Sequence, residues 1–258
     1  MSEGQKKYIR KIKTRKYLIL FTQIFIFIAF LVLWQYLADK NYIDTFITSS
    51  PEDIFNTLIT LYKNDNLLIH IWTTVKETVI AFTITTVLSL LISILLYNFN
   101  FFSKVIDPYL TMLNSLPKVA LGPIIIIWIG ANTNGIITMA ILISVIVSIQ
   151  SIYNGFQCTD KLKIKLLKTF NATKKDILFK VVIPANKNTI LNTLKINISM
   201  CLIGVIMGEF LTSKAGIGYL ILYGSQVFNL NLVMTGIFIL IIISIIMYNL
   251  VNLLSKEK

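Results

Sequence analysis

The residues that most often carry chemistry are sparse in this sequence. One histidine, His70, and two cysteines, Cys158 and Cys201, are too few for a metal-binding cluster. Neither G-x-x-x-x-G-K followed by Ser or Thr nor G-x-G-x-x-G occurs, so the sequence lacks the loops that cradle nucleotide phosphates. It also lacks a Ser/His/Asp set or a carboxylate pair suited to catalysis. We therefore predict that the chain is not an enzyme, uses no cofactor or metal, and leaves any ATP to another subunit.

Polar residues inside long apolar stretches are the second group of chemical interest. Serine and asparagine in such positions line a solute path or form hydrogen bonds between helices, and the second is the commoner case. Glu209 is a functional candidate because an ionisable group at membrane depth is costly, although it also fits an interfacial anchor. Pro117 and Pro123 free backbone carbonyls, which is tolerated where helices line a cavity. The candidate path residues are Asn114, Ser115, Pro117, Ser144, Ser148, Asn197 and Glu209.

The elements that hold these residues are predicted from hydropathy. Hydrophobic residues make up 55% of the 258 residues and charged residues only 14%, which is too little charge to coat a soluble domain. Runs of about 20 apolar residues cross a bilayer, and the polar, glycine-flanked stretch 130–135 divides one long run into two spans. We predict an all-α polytopic membrane protein with a basic N-terminus over 1–16 and a single transmembrane domain over 17–258. Its six spans lie at about 17–37, 72–97, 106–130, 135–153, 188–211 and 230–254.

The charges predict the orientation of these spans. The 24 Lys and Arg outnumber the 12 Asp and Glu, a net charge of +12 that would suggest nucleic acid in a soluble protein. Here most of the basic residues precede the first span, lie between spans four and five, or follow the last span as Lys256 and Lys258. By the positive-inside rule, both termini are cytoplasmic. The stretch 38–71 is mainly acidic and is expected to be an outer loop, with Asp39, Asp44, Glu52, Asp53 and Asp65.

The first apolar run resembles a signal peptide in position but not in detail. It is longer than the usual apolar core of a signal peptide, and no small-x-small cleavage site follows it. We expect it to be retained as the first transmembrane helix.

Residues 160–184, between spans four and five, form the most informative segment. Its first half has apolar residues on one helical face and lysines on the other. Asn171 suits a left-handed helix end, and Thr173 with Asp176 matches a capping box that starts a second helix, which Pro184 should end. From composition alone, the pair of helices fits an amphipathic element lying on anionic lipid. The apolar face comprises Leu162, Leu166, Leu167 and Phe170, and the basic face Lys161, Lys165 and Lys168.

Several separated segments, in order along the chain, resemble the binding-protein-dependent ABC importer permeases of the nitrate, sulfonate and taurine type. Residues 165–171 and 181–184 stand where that family has its cytoplasmic E-A-A-x-x-x-G and I-x-L-P motifs. Residues 48–54 resemble its L-P-S-P-x-x-V entry, and residues 107–130 its D-P…P-I-P…P-L-L-I-L-W-F-G segment. Glu209 with residues 216–221 matches A-E-M-x-x-x-x-x-G-L-G-Y-L-I. The resemblance covers roughly residues 48–254.

The resemblance implies a permease subunit of an ABC importer in the bacterial plasma membrane. Two such chains, as a homodimer, would line the path between P-loop ATPase subunits inside and an extracytoplasmic solute-binding protein outside, with no nucleic-acid partner. The implied substrate is a small anion such as nitrate, a sulfonate or taurine, or a thiamine-pyrimidine precursor. The family couples this loop to the ATPase, which implies that role for Lys165, Leu166, Leu167, Phe170, Asn171, Thr173, Asp176, Ile177 and Pro184.

Lys165 departs from the family pattern because it inverts the charge of the family glutamate. We hypothesise that docking rests on the apolar face and on Asp176, or that the ATPase carries compensating acidic residues.

Gly204 and Gly208 form a G-x-x-x-G spacing that permits close helix approach within or between chains.

Two functions from other classes are alternatives to the importer. An ion-gradient-driven secondary transporter would need acids or histidines near the bilayer midplane, and the central thirds of the predicted spans contain none. A membrane-embedded structural subunit is the other alternative.

Overall fold

The computed structural model describes residues 3–64 and 67–255, and within them every regular element is helical. This confirms the all-α prediction. The chain forms two compact units, one of residues 3–64 with 224–235 and one of residues 67–223 with 236–255. Some charges used to predict the topology lie outside the described part of the chain, namely Asp65, Lys256, Lys258 and the side chains of Lys6, Lys7 and Arg10.

The first unit begins with three helices: α1 (Glu3–Asp39), α2 (Thr45–Thr48) and α3 (Pro51–Asn64). Helices α2 and α3 correct the expectation of a simple outer loop over 38–71. Ser50 starts α3, because its Oγ accepts from Asp53 N at 3.1 Å and donates to Asp53 Oδ2 at 2.8 Å. Pro51 suits the first helical position, where no N–H is needed. The Ser-Pro signal at residues 50 and 51 is therefore a helix start.

The helices of the remaining chain follow in order. They are α4 (Leu67–Asn98), α5 (Asn100–Ser115), α6 (Gly122–Ile129), α7 (Thr133–Gln157), α8 (Lys161–Thr169), α9 (Lys174–Ile177), α10 (Ile183–Ala185), α11 (Lys187–Thr212), α12 (Ile217–Gln226) and α13 (Leu230–Ser255). A 3-10 turn, Lys118–Leu121, precedes α6, and a π-helical turn, Leu178–Val182, joins α9 to α10. The hydropathy pattern did not predict α12 as a separate helix.

Five helices of the described residues are long and apolar enough to cross a membrane: Lys11–Asp39, Leu67–Asn98, Thr133–Gln157, Lys187–Thr212 and Leu230–Leu253. The span expected at 106–130 consists of two helices, Asn100–Ser115 and Lys118–Ile129, bent by 88°, and it is the sixth candidate span when the bent pair is counted as one broken span. Pro117 causes the break, because the residue before a proline disfavours helical geometry and Leu116 is extended (φ −68°, ψ 140°). Pro123 lies in the first turn of α6 and does not break it.

The polar turn expected between two apolar halves is confirmed between α6 and α7. Gly130 has φ 103°, a value that favours glycine. Asn132 caps α7, since its side-chain oxygen accepts from Asn134 N at 2.9 Å and Gly135 N at 3.2 Å. The sequence 130–135 therefore ends one helix and starts the next.

Helix α7 packs against both α4 and α11 in the centre of the second unit. A Cβ on Gly204 would lie 2.5 Å from the Ala140 Cα, and one on Gly208 would lie 3.0 Å from the Ile136 Cα. These glycines therefore let the backbones of α7 and α11 approach closely, as small residues do between membrane helices. The close approach predicted for the G-x-x-x-G spacing is confirmed within the chain.

Candidate functional site

The segment between α7 and α11 contains a turn that fixes the direction of its second helix. Helix α8 ends at Thr169 with Phe170 as its C-cap, and Asn171 follows with φ 56°, the left-handed conformation predicted for it. Ala172 N donates to Leu167 O at 3.1 Å and Asn171 N donates to Lys168 O at 3.0 Å. This pair of hydrogen bonds is the Schellman motif, which satisfies carbonyls left free at a helix end.

The predicted capping box starts α9. Asp176 N donates to Thr173 Oγ1 at 3.2 Å, while Thr173 N donates to Asp176 Oδ2 at 3.1 Å. Lys180 Nζ lies 2.6 Å from Asp176 Oδ1. The hydrogen bond from Lys180, followed by those from Thr173, lowers the pKa of Asp176 to about 2. Asp176 is therefore an ionised cap at the start of α9.

The second helix ends one residue after Pro184, which agrees with the expected end to within a residue. The helical backbone continues from α9 through the π turn and α10 to Ala185, and the chain bends at Asn186 before α11. Proline has no N–H to donate to the carbonyl four residues earlier, and its ring collides with that carbonyl. The π-helical turn Leu178–Val182 lies just before Pro184, where the helix must accommodate this ring. Asn186 is buried and its Nδ2 donates to Thr159 Oγ1 at 2.7 Å and Val182 O at 2.9 Å.

The apolar residues of α8 divide between two faces, whereas the sequence pattern placed them on one. Leu167 and Ile164 pack against the core cluster that contains Ile177. The side chains of Leu162, Leu166 and Phe170 are 73%, 56% and 75% exposed. At a spacing of four residues they form a continuous apolar stripe, which we call the outer stripe. Core packing thus fixes α8 on the membrane helices while the outer stripe remains uncovered in the chain.

The structure places the predicted coupling residues in three environments. Lys165, Leu166, Phe170, Asn171, Thr173 and Pro184 are exposed, Leu167 and Asp176 are half-buried, and Ile177 is buried. Ile177 lies in one cluster with Ile152 and Phe156 of α7 and Val182 of the π turn. Leu167 and Ile177 therefore attach the segment to α7 and do not present a surface to another molecule. Leu162, which the list of coupling residues omits, belongs to the outer stripe.

Three of the candidate path residues are buried between helices. Ser144 is 3.0 Å from Thr85 Oγ1 of α4, and Ser148 is buried in the same helix. Asn197 Nδ2 of α11 donates to Thr86 Oγ1 at 3.0 Å. These contacts match the interhelical role that is common for serine and asparagine in membranes, so they hold α4, α7 and α11 together.

Glu209 is fully buried at the end of α11, where it organises the start of α12. Thr74 Oγ1 donates to Glu209 Oε1 at 2.6 Å and Gly218 N donates to Glu209 Oε2 at 2.6 Å. Ile217 N donates to Thr74 Oγ1 at 2.8 Å. A Cβ on Gly216, which has φ 117°, would lie 2.3 Å from Glu209, so glycine is required there. These contacts are those of a buried helix cap.

The other candidate path residues lie where α5 ends. Asn114, Ser115 and Pro117 are exposed, and Lys118 Nζ donates to Asn114 Oδ1 at 3.0 Å. The structure therefore does not bring the seven candidates together, because Ser144, Ser148, Asn197 and Glu209 are buried in helix contacts. Sequence reasoning missed Thr74, whose only signal was a hydroxyl in an apolar run.

A second group of polar residues lies on α11. Asn192, Lys195 and Ser199 follow one another at helical spacing and, with Tyr248 of α13, line an open groove of about 380 Å³. Lys195 is half-buried there. Lysines within membrane helices usually face a bundle interior or a water-filled cavity, and here Lys195 borders a groove whose lining is otherwise mainly apolar.

Comparisons with known proteins agree on one family. A family model described as a binding-protein-dependent transport system inner membrane component matches residues 85–257. A probable ABC transporter permease protein of Haemophilus influenzae is 28% identical over 218 residues, covering 84% of this chain and 88% of that protein. The formylaminopyrimidine transport permease protein ThiX of Halalkalibacterium halodurans is 25% identical, covering 75% of this chain and 76% of that protein.

A sulfonate-related protein and a solved structure are also similar. The putative aliphatic sulfonates transport permease protein SsuC of Bacillus subtilis is 23% identical, covering 88% of this chain and 82% of that protein. An inward-facing structure of the MetNI methionine ABC transporter has a chain that matches with a TM-score of 0.63 at 16% identity. The match covers 73% of this chain and 94% of that chain, and at this identity it shows the fold.

Proposed function

Since this chain belongs to the family of binding-protein-dependent transport system inner membrane components, we propose that it couples solute movement to a separate ATPase through α8–α10. In this proposal two copies form the path, and an extracytoplasmic solute-binding protein delivers the solute. Both chain termini and α8–α10 lie in the cytoplasm of a bacterial cell, and residues 17–258 act as one transport domain. The observation that carries the proposal is the outer stripe of Leu162, Leu166 and Phe170.

The outer stripe has the properties of a docking surface. Its three side chains are exposed on a helix whose opposite face, through Ile164 and Leu167, packs into the core cluster. A force on the outer stripe is therefore transmitted to α7 through packed side chains. Movement of packed elements as rigid bodies is one way in which conformational changes propagate. Asn186, buried between α10 and α11, continues the connection towards α11.

The proposed substrate is a small organic or inorganic anion of the sulfonate or nitrate kind. The groove at Lys195 supports an anion because it offers a cation with asparagine and serine donors inside an apolar helix. The exposed Asn114, Ser115 and Pro117 at the bend between α5 and α6 are proposed path residues. A ligand-induced thermal shift of the binding protein, screened over sulfonates, nitrate and pyrimidine precursors, tests the class. A thermal shift with pyrimidine precursors alone would contradict the proposal that the substrate is an anion.

The docking role is tested by exchanging part of the outer stripe. We expect the L166S/F170S double variant to lose most of the co-expressed ATPase during affinity purification of the permease, because both side chains would be buried by the partner. Lys163→Ser is the matched control, since Lys163 is exposed on the same helix outside the outer stripe. Gel filtration should be unchanged for all variants because the altered side chains are exposed. Equal ATPase recovery from both variants would contradict the docking role.

Reversing the charge at Lys165, which stands where the family has a glutamate, separates two hypotheses. Docking rests either on the apolar face and Asp176 or on compensating acidic residues of the ATPase. If acidic residues of the ATPase compensate for the lysine, Lys165→Glu reduces ATPase recovery. Unchanged or improved recovery would reject compensation and leave docking to the outer stripe and Asp176.

A further inference from the structure

We propose that a basic cavity behind α8 binds the phosphate group of an anionic phospholipid. The cavity has a volume of about 600 Å³ and lies among the ends of α4 and α7, the start of α5, and helices α8 and α9. Lys161, Lys168 and Lys174 line it together with Asn98, Asn100 and Gln157. Neither the substrate path nor the ATPase contact assigns a ligand to this position.

Charge in the cavity favours an anion. Three lysines from α8 and α9 border one space, and the lining residues that the structure describes include no carboxylate. Like charges held in one cavity repel one another, and a bound anion removes that repulsion. The amides of Asn98, Asn100 and Gln157 add neutral donors that suit phosphate oxygens. Tyr153 hydroxyl is hydrogen-bonded to Ser103 and Gln157, which fixes one wall.

The cavity is separate from the outer stripe. Lys161, Ile164 and Lys168 follow a spacing of three and four residues on α8 and all border the cavity. Leu162, Leu166 and Phe170 follow one another at four residues and lie on the opposite side, because an α-helix has 3.6 residues per turn. An ATPase on the outer stripe and a ligand in the cavity therefore contact different faces of α8.

The surroundings favour a lipid as the source of the phosphate. Phe99 and Phe101 flank Asn100 in the chain and are 60% and 83% exposed. They stand at the junction of α4 and α5, at the end of a long apolar span. Aromatic residues at span ends occupy the membrane interface, and basic pockets beside span ends bind lipid headgroups. The phosphate would contact the lysines while the acyl chains follow the phenylalanines.

Two triple variants with the same net charge test this site in the full-length protein. Native mass spectrometry of the detergent-solubilised chain measures binding of phosphatidylglycerol and of phosphatidylcholine with equal acyl chains. We expect K161Q/K168Q/K174Q to weaken phosphatidylglycerol binding by roughly a hundredfold, given about fivefold per lysine. The matched control, K163Q/K165Q/K175Q, alters exposed lysines of α8 and α9 that do not line the cavity. It should weaken binding less than about threefold.

Equal weakening in the two triple variants would overturn the site, because it would show general attraction by the basic segment. Competition with inorganic phosphate distinguishes a site for a phospholipid headgroup from a site for free phosphate. If phosphate alone displaces the lipid at millimolar concentration and Phe101→Ser has no effect, the lipid assignment is wrong. If phosphate fails to compete and Phe101→Ser weakens lipid binding, the lipid assignment holds. Should a triple variant aggregate, K168Q and K165Q repeat the comparison with single substitutions.

Discussion

Asp176 caps α9 and Glu209 caps α12, so both of these helices begin at an acidic side chain. The residues that hydrogen-bond to these two carboxylates lie at very different distances along the chain. Asp176 is bound by Thr173 and Lys180, three and four residues away. Glu209 is bound by Thr74, 135 residues away, as well as by Gly218. The first cap is solvated and local, whereas the second is buried and ties α4, α11 and α12 together. Substitutions at the two sites should therefore differ in how much stability they remove and in how far from the site the structure is affected.

Removing the buried cap should have the largest effect. Glu209→Ala leaves Thr74 and Gly218 without their acceptor, and buried unpaired donors cost about 1–3 kcal/mol each. We expect a loss of about 2–4 kcal/mol of stability, measured as a lower midpoint in thermal unfolding of the detergent-solubilised protein. Glu209→Gln keeps one acceptor oxygen and should lose less.

The control for this prediction is Glu52→Ala, which alters an exposed carboxylate in α3 and should leave the midpoint nearly unchanged. An Ala variant at position 209 as stable as the unaltered protein would show that the carboxylate does not cap α12.

The turn after α8 should respond locally. Asn171 has φ 56°, a conformation that costs a residue with a Cβ roughly 1–2 kcal/mol unless its side chain helps locally. Asn171→Val should therefore accelerate hydrogen exchange of backbone amides around residues 171–176 by about tenfold, while the thermal midpoint changes little. Asn171→Gly should retain protection. Lys163→Val, which introduces the same valine in regular helix, is the control, and equal acceleration there would contradict the turn as the cause.

The same contrast explains how much could be predicted from sequence. The Asn171 turn, the Thr173 capping box and the polar turn over 130–135 depend on neighbours within a few residues, so residue types predicted them. The proline at position 117 indicated a break in the helix. The 88° angle of the bend and the separate helix that follows it, Lys118–Ile129, depend on packing. Glu209 was marked as unusual because it is ionisable, yet its partner Thr74 cannot be found by spacing. Leu167 and Leu162 share an apolar type, and only the position of α7 decides which one is buried.

The smallest expected effect is the titration of Asp176. Its pKa of about 2 lies below the ordinary value of 3.8, chiefly because Lys180 and Thr173 donate to the carboxylate. The cap therefore contributes its full stabilisation above about pH 4 and loses it as the pH falls towards 2. NMR of side-chain carboxyl carbons in micelles should show this low pKa, with the signal assigned by its absence in Asp176→Asn. Lys180→Gln should raise the pKa towards 3.8, because Lys180 is the largest cause of the shift. A pKa of 3.8 in the unaltered protein would mean that α9 is capped without a persistent charge pair, and that the local site is even weaker relative to Glu209.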